Sequence, residues 1–206
     1  MSFQKYFHQI IKIRYPDNYQ ILIKEVDQKF KEVSKDTEFA AKSTNPMDKR
    51  LDFSAYFLSL ILVLKKHEKE FEEIRKVCLE IVNKYVQPKN KIQAWFKKLL
   101  PKLISFKITS YFLIALNKKI STKGHNDGFK AQIITDKSKT YGLGYGIDIT
   151  ECGICKLFKK HQTDDYSSIL CEVDKVTSEM AGLVLIRSGT IANGAVQCDF
   201  RFKKTE

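Results

Sequence analysis

Apolar residues recur at helical intervals through the first 120 or so positions and at alternate positions after them. Phe3, Phe7, Ile10 and Ile11 fall on one helical face, and Pro16 ends that segment. Leu22, Val26, Phe30 and Val33 make a second stripe at i, i+4, i+8 and i+11. Ser43-Thr44-Asn45-Pro46 reads as a helix start, a capping side chain followed by Pro in the first turn. It predicts a helix from about residue 46 into the 80s, closed by Gln87-Pro88. Trp95, Phe96, Leu99 and Leu100 give an apolar face to a helix near 90–100, and Pro101 separates it from another near 102–119.

The turn-rich stretch Ser121 to Gly128 marks a boundary. Beyond it Phe129, Ala131 and Ile133 alternate with polar neighbours. After a turn at 136–140, Tyr141, Leu143, Tyr145, Ile147 and Ile149 line one face of a second strand. Gly142, Gly144 and Gly146 leave its other face bare, and their spacing is not that of a dinucleotide fingerprint. Two helices follow, near 152–161 and 165–181, and Gly182 stops the second. Leu183 to Ala192 and Val196 to Lys203 read as strands joined through Asn193-Gly194, a strong hairpin signal. The predicted fold class is therefore α+β. A helical region over 1–124 precedes a ββααββ unit over 125–206, whose antiparallel four-stranded sheet carries its helices on one side. The two regions can also pack as one compact domain.

Charge sharpens this division. Residues 1–124 hold 25 basic and 13 acidic side chains, whereas 125–206 hold 11 of each, so the whole net charge of +12 lies in the helical region. Ten lysines and no acid occur from Lys84 to Lys123. Such a field attracts phosphates and other anions. The run contains no Arg, however, and lacks the planar recognition chemistry of nucleic-acid binders. A solvated helical surface is the preferred reading, and nucleic acid ranks last among partners. The most apolar run, Phe53 to Leu64, is 12 residues long and shorter than a membrane span. No signal peptide is read at the N-terminus. Five cysteines in a chain of 206 residues then suggest reduced thiols in a cytoplasmic setting.

Four of those cysteines fall between 152 and 198. Cys152-Gly153-Ile154-Cys155 sits where a strand gives way to a helix, a place that favours a thiolate. The pair can be a redox couple, half a metal site, a nucleophile with a chance neighbour, or packing. Cys171 and Cys198 are single and not at zinc-finger spacing, so zinc has weak support and no cofactor is predicted. Cys171 and Asp174 are neighbours at i and i+3 on the second helix. A two-residue Asn193-Gly194 turn would set Gly189 opposite Cys198, Ser188 opposite Asp199 and Arg187 opposite Phe200. Arg187, Cys198, Phe200 and Phe202 then share one face, and Ser188, Thr190, Asp199 and Arg201 share the other. An Arg among apolar neighbours needs an anion, which makes Arg187 the first candidate for binding a carboxylate, with a salt bridge to Asp174 as the structural alternative.

Cys152-Gly153-Ile154, Leu170-Cys171-Glu172-Val173-Asp174, Leu185 to Gly194 and Cys198-Asp199-Phe200-Arg201-Phe202 together resemble the C-terminal half of the L-2-amino-thiazoline-4-carboxylic acid hydrolase family. The resemblance covers roughly 140–203 and does not include Cys155. It implies hydrolytic opening of a cyclic amidine, with attack on the amidine carbon, a proton for the leaving atom and a cationic anchor for a carboxylate. By position it implies Cys171 or Cys198 as nucleophile, Asp174 or Asp199 as acid/base, and Arg187 or Arg201 as anchor. Thr190 and Cys152 support substrate binding. The alternative is a non-catalytic module that binds a small ligand or a metal through its clustered cysteines. Oligomeric state is not legible.

Overall fold

A computed structural model describes residues 3–88, 90, 107–122 and 124–204. The helix expected near 90–100, with Trp95, Phe96, Leu99 and Leu100, lies outside the described residues, as does most of the lysine run. Five helices open the chain: α1 (Gln4–Arg14), α2 (Tyr19–Val33), the short α3 (Phe39–Lys42), α4 (Arg50–Lys66) and α5 (Phe71–Val86). Next come α6 (Lys107–Ser121), β1 (Lys130–Ile134), β2 (Gly146–Glu151), α7 (Gly153–Lys160), α8 (Ser167–Met180), β3 (Leu183–Ile186) and β4 (Cys198–Lys204). Among the described residues no helix is long and apolar enough to cross a membrane.

The sheet is antiparallel throughout, in the order β1-β2-β4-β3. Ala131, Ile133, Ile149, Cys198, Phe200 and Phe202 are buried on one face. Gln132, Asp148, Asp199 and Arg201 occupy the other. This is the alternation of an antiparallel sheet covered on one side. The helices pack against the apolar face, α8 on β3 and α5 behind α8. The α+β layout and the one-sided sheet are as the alternation pattern predicts. Helix α6 packs beside the edge strand β1, where Asn117 accepts the Ile133 amide at 2.7 Å.

Three segments depart from expectation. The long helix from 46 does not exist as one element. Residues 43–49 form a turn, α4 starts at Arg50, and the chain breaks at 67–70, where Glu68 takes φ +56°. His67 to Glu70 contain no Gly or Pro, so propensity does not stop α4; packing does. Helix α4 is buried nearly all round, and its apolar run ends at Leu64. Reversal there lets Ile74, Val77, Cys78, Ile81 and Val82 of α5 return to the same core.

The second strand starts at Gly146 rather than Tyr141. Residues 141–144 turn instead, with Tyr141, Gly142 and Gly144 in left-handed backbone at φ +50°, +80° and +72°. Buried Thr140 organises this turn: its hydroxyl donates to the Asp136 carbonyl and accepts the Gly144 amide. Gly142 and Gly144 therefore serve the turn and do not bare a sheet face. The last hairpin is also looser than a two-residue turn. Strand β3 ends at Ile186, and residues 191–193 form a 3-10 turn that Gly194 closes at φ +85°. The observed pairing of Ile186 with Arg201, continued, sets Arg187 opposite Phe200, so the alignment is the predicted one. The strand stops early because the Asp199 carboxylate captures the Ser188 and Gly189 amides that a ladder would have used.

The helical region is fastened to the sheet at Phe129. Asp48, fully buried, accepts the Phe129 amide at 2.8 Å, and the Asn45 amide donates to the Phe129 carbonyl at 2.9 Å. Ser43 donates to the other Asp48 oxygen. A Cβ on Gly128 would lie 2.8 Å from Asp48, so glycine is required there. Asp48→Ala leaves a buried amide and a hydroxyl unpaired. It should lower unfolding free energy by roughly 2–3 kcal/mol in chemical denaturation, against well under 1 kcal/mol for exposed Asp17→Ala.

Candidate active site

Strand β2 runs into α7 at Cys152, and this junction places the first thiol. Cys152 is the N-cap of α7 in extended backbone, φ −102° and ψ 111°. The first amides of a helix have no internal acceptor, and those of Ile154 and Cys155 favour a thiolate at Cys152, although neither makes a regular capping hydrogen bond to its sulfur. Cys155 sits one turn on, and its thiol favours the ionised form of Cys152. Helix α8 supplies Cys171 and Asp174, one turn apart, and β4 opens with Cys198. All four of these thiols and Asp174 line one cavity of about 20 Å³, closed further by Arg50, Ile154, Leu170 and Phe200. That is room for about one water. Larger hollows of about 480 and 330 Å³, lined by Asp52 and Phe30 or by Asp36 and Lys160, hold no thiol.

The thiols differ in ionisation. The Cys155 thiol donating to Cys152 lowers the Cys152 pKa most; burial opposes it, the two backbone amides assist it, and the result is about 7. The cost falls on Cys155, which is pushed far up by holding that hydrogen bond and by burial. Burial raises Cys171 to about 12, helped by the Asp174 charge, with Arg187 and Thr190 pulling the other way. Burial also raises Cys198, although the Ile191 amide donates to its sulfur at 3.2 Å. Among these four, Cys152 has the thiolate character that nucleophilic chemistry needs.

Two arginines flank Asp174. Arg50, from the first turn of α4, donates to Asp174 Oδ1 at 2.6 Å and is partly exposed. Arg187 Nη1 stands 3.8 Å from Asp174 Oδ2, Nη2 donates to the Cys171 carbonyl at 2.8 Å, and the guanidinium lies 5.5 Å from the centre of the Phe200 ring. The Arg187 side chain is 9% exposed, and Nη1 makes no hydrogen bond. Thr190, expected on the opposite sheet face with Asp199 and Arg201, is instead buried beside the Cys171 thiol, because the strand ends at Ile186 and alternation does not reach it; its hydroxyl lacks a regular hydrogen bond. Unpaired buried donors are costly in a packed interior, and an anion would satisfy both.

The sheet separates the remaining candidates from this group. Asp199, on the opposite face, is consumed by the loop: it accepts from the Ser188 amide, the Ser188 hydroxyl and the Gly189 amide. Burial alone would raise its carboxyl, but these donors hold it below the usual range. Arg201 Nη1 pairs with Asp148 at 2.7 Å and donates to the Phe200 carbonyl. Cys152, Cys171, Asp174 and Cys198 are thus brought together with Arg187 and Thr190, and Asp199 and Arg201 are not. Arg50 escaped sequence reading because it lies 124 positions from its partner, with no local pattern to join them. Among the described residues, no group of three or more His, Cys, Asp or Glu side chains is placed to hold a metal ion.

Fold and site define an α+β protein with a cysteine-centred, arginine-flanked pocket between sheet and helices. The model of the L-2-amino-thiazoline-4-carboxylic acid hydrolase family matches residues 50–202, and the chain belongs to that family. Comparison with curated proteins and with solved structures finds no match in either. The match begins at Arg50, so it takes in α4 and α5 as well as the C-terminal unit.

The ionisation order has a direct readout. Iodoacetamide labelling of Cys152 should rise through a midpoint near pH 7, while Cys171 stays unlabelled until near pH 12 or until unfolding. Peptide mass spectrometry across pH 5–9 checks this, and preferential labelling of Cys171 at neutral pH would contradict it.

Proposed function

We propose that this chain is a hydrolase that opens a cyclic amidine, or a related C–N or C–S bond, in a small carboxylate substrate. The observation that carries the reading is a low-pKa thiol sharing a cavity with Cys171 and Asp174, against which two buried donors without regular hydrogen bonds, Arg187 Nη1 and the Thr190 hydroxyl, are packed. Cys152 is the nucleophile, and Arg187 Nη1 with the Thr190 hydroxyl receives the substrate carboxylate. Asp174 is the positioning carboxylate, holding Arg187 and Arg50 in place.

The Cys152 sulfur adds to the amidine carbon, whose nitrogen takes up the electron pair. The amides at the start of α7 face the sulfur and stabilise it before attack. A ring bond from that carbon to sulfur or nitrogen then breaks, and the leaving atom takes a proton. Water adds to the carbon and releases Cys152, so the net change is one water added across one ring bond. The closed cavity cannot hold such a ring. Arg50 is its movable wall: together with Ile154 and Leu170 it also borders a cleft of about 330 Å³ lined by Phe53, Tyr85 and Thr177. A substrate carboxylate entering by that cleft competes with Asp174 for Arg50 and then reaches Arg187.

The alternative, a small-ligand module without catalysis, shares the carboxylate anchor and lacks turnover. The two separate on L-2-amino-thiazoline-4-carboxylate, followed by release of ring-opened product. Wild type should turn it over. Cys152→Ser should lose roughly a thousandfold or more in kcat. Arg187→Ala should raise KM by about ten- to a hundredfold with a smaller effect on kcat. Calorimetric binding without product in wild type would favour the module. Unchanged kinetics in Cys152→Ser would remove the assigned nucleophile.

A further inference from the structure

The hydrolytic reading uses Cys152 and leaves Cys155 without a chemical role. Yet Cys155 is the nearest thiol to it in function and in place. The two stand at the N-cap and third positions of the eight-residue α7, so their side chains meet across the first turn. Both cysteines line the same cavity, and the Cys155 thiol favours the ionised form of Cys152. Cys171 and Cys198 reach that cavity from α8 and β4, on other elements. Hence one turn of one helix carries a nucleophilic sulfur and a second sulfur positioned to attack it.

We propose that Cys152 and Cys155 form a peroxide-driven, reversible disulfide, with Cys152 the sulfur oxidised first and Cys155 the sulfur that resolves it. The cavity selects the oxidant. Its volume of about 20 Å³ admits a molecule little larger than water without displacement of the Arg50 wall, so a hydroperoxide reaches Cys152 ahead of a bulky disulfide. The Cys152 thiolate attacks one peroxide oxygen, the O–O bond breaks, and the second oxygen leaves as hydroxide and takes a proton to become water. Cys152 is now a sulfenic acid. The Cys155 sulfur attacks the Cys152 sulfur, an S–S bond forms, and the S–O bond breaks. The departing hydroxyl takes the Cys155 proton as a second water. Two thiols lose two electrons in total, and the peroxide gains them. A dithiol reductant reverses the change by exchange. The lowered Cys152 pKa speeds the first step, since the thiolate is the reacting form.

The biological consequence rests on the reading above: if Cys152 is the hydrolytic nucleophile, the disulfide switches hydrolysis off without destroying the sulfur. The chemistry itself does not depend on that reading, and its test is read by mass. Reduced full-length protein is treated with hydrogen peroxide at pH 7 in the presence of dimedone, which traps sulfenic acids, and is then unfolded so that all remaining thiols are alkylated. Wild type should yield the peptide containing Cys152 and Cys155 with two hydrogens lost and no alkyl group. Its Cys171 and Cys198 should be alkylated, and Cys152 should carry no dimedone. Cys155→Ser should carry dimedone on Cys152. Glutathione disulfide in place of peroxide should leave wild-type Cys152 reduced.

A dimedone adduct or sulfinic acid on wild-type Cys152 overturns the proposal, as does a disulfide from Cys152 to Cys171 or Cys198, or an unreacted Cys152. If Cys155→Ser does not fold, the wild-type peptide alone decides. A chain that forms the disulfide but has no hydrolytic activity when reduced refutes the hydrolase reading and leaves the dithiol standing. An active hydrolase whose Cys152 never pairs with Cys155 does the reverse.

Discussion

Asp174 is the carboxylate on which the site is assembled. It projects from α8 between Arg50 of α4 and Arg187 at the end of β3. Without it two guanidinium groups, one of them almost fully buried, would share this region with no counter-charge, at high electrostatic cost. With it, three elements far apart in sequence hold a fixed relation, and the Arg187 guanidinium keeps one donor free. The same charge acts on the thiols. It pushes the Cys171 pKa up and opposes the lowering at Cys152, where hydrogen bonds prevail. The Asp174 charge thus disfavours ionisation at all three of Cys152, Cys171 and Cys198, and the hydrogen-bonding surroundings of Cys152 set it apart.

The division of labour in the sheet follows from pleating. Cys198, Phe200 and Phe202 face the core, whereas Asp199 and Arg201 point the opposite way. Each outward side chain has a structural duty: Asp199 binds the loop that carries Thr190, and Arg201 pairs with Asp148 on β2. The loop so held brings Thr190 beside Cys171. A family-marking strand thus serves the site from both faces, with direct lining on one and support on the other.

Much of this was legible in the sequence because it depends on local period. The α2 stripe, the stop at Gly182, the alternation through Cys198–Phe202 and the Cys171–Asp174 pairing on α8 all follow from spacing. The alignment of Arg187 with Phe200 followed too, even though the hairpin itself is a loop, because the sum of partner positions survived the change of turn. What spacing could not show is long-range. The break after α4 comes from burial on all sides, the turn at 141–144 from a buried Thr140, and the Arg50–Asp174 pair from tertiary approach. The ranking of the cysteines was hidden for the same reason. The strand-to-helix junction at Cys152 was visible, but the burial that raises the Cys171 and Cys198 thiols was not.

In the proposed reaction Cys152 carries the chemistry of this site. Single-turnover reaction with L-2-amino-thiazoline-4-carboxylate, quenched in acid and followed by peptide mass spectrometry, identifies the sulfur that bonds to substrate. A transient substrate adduct is expected on the peptide holding Cys152, rising and decaying ahead of product. Product formed with the adduct on Cys171 or Cys198, or with no cysteine modified at any time, would contradict it.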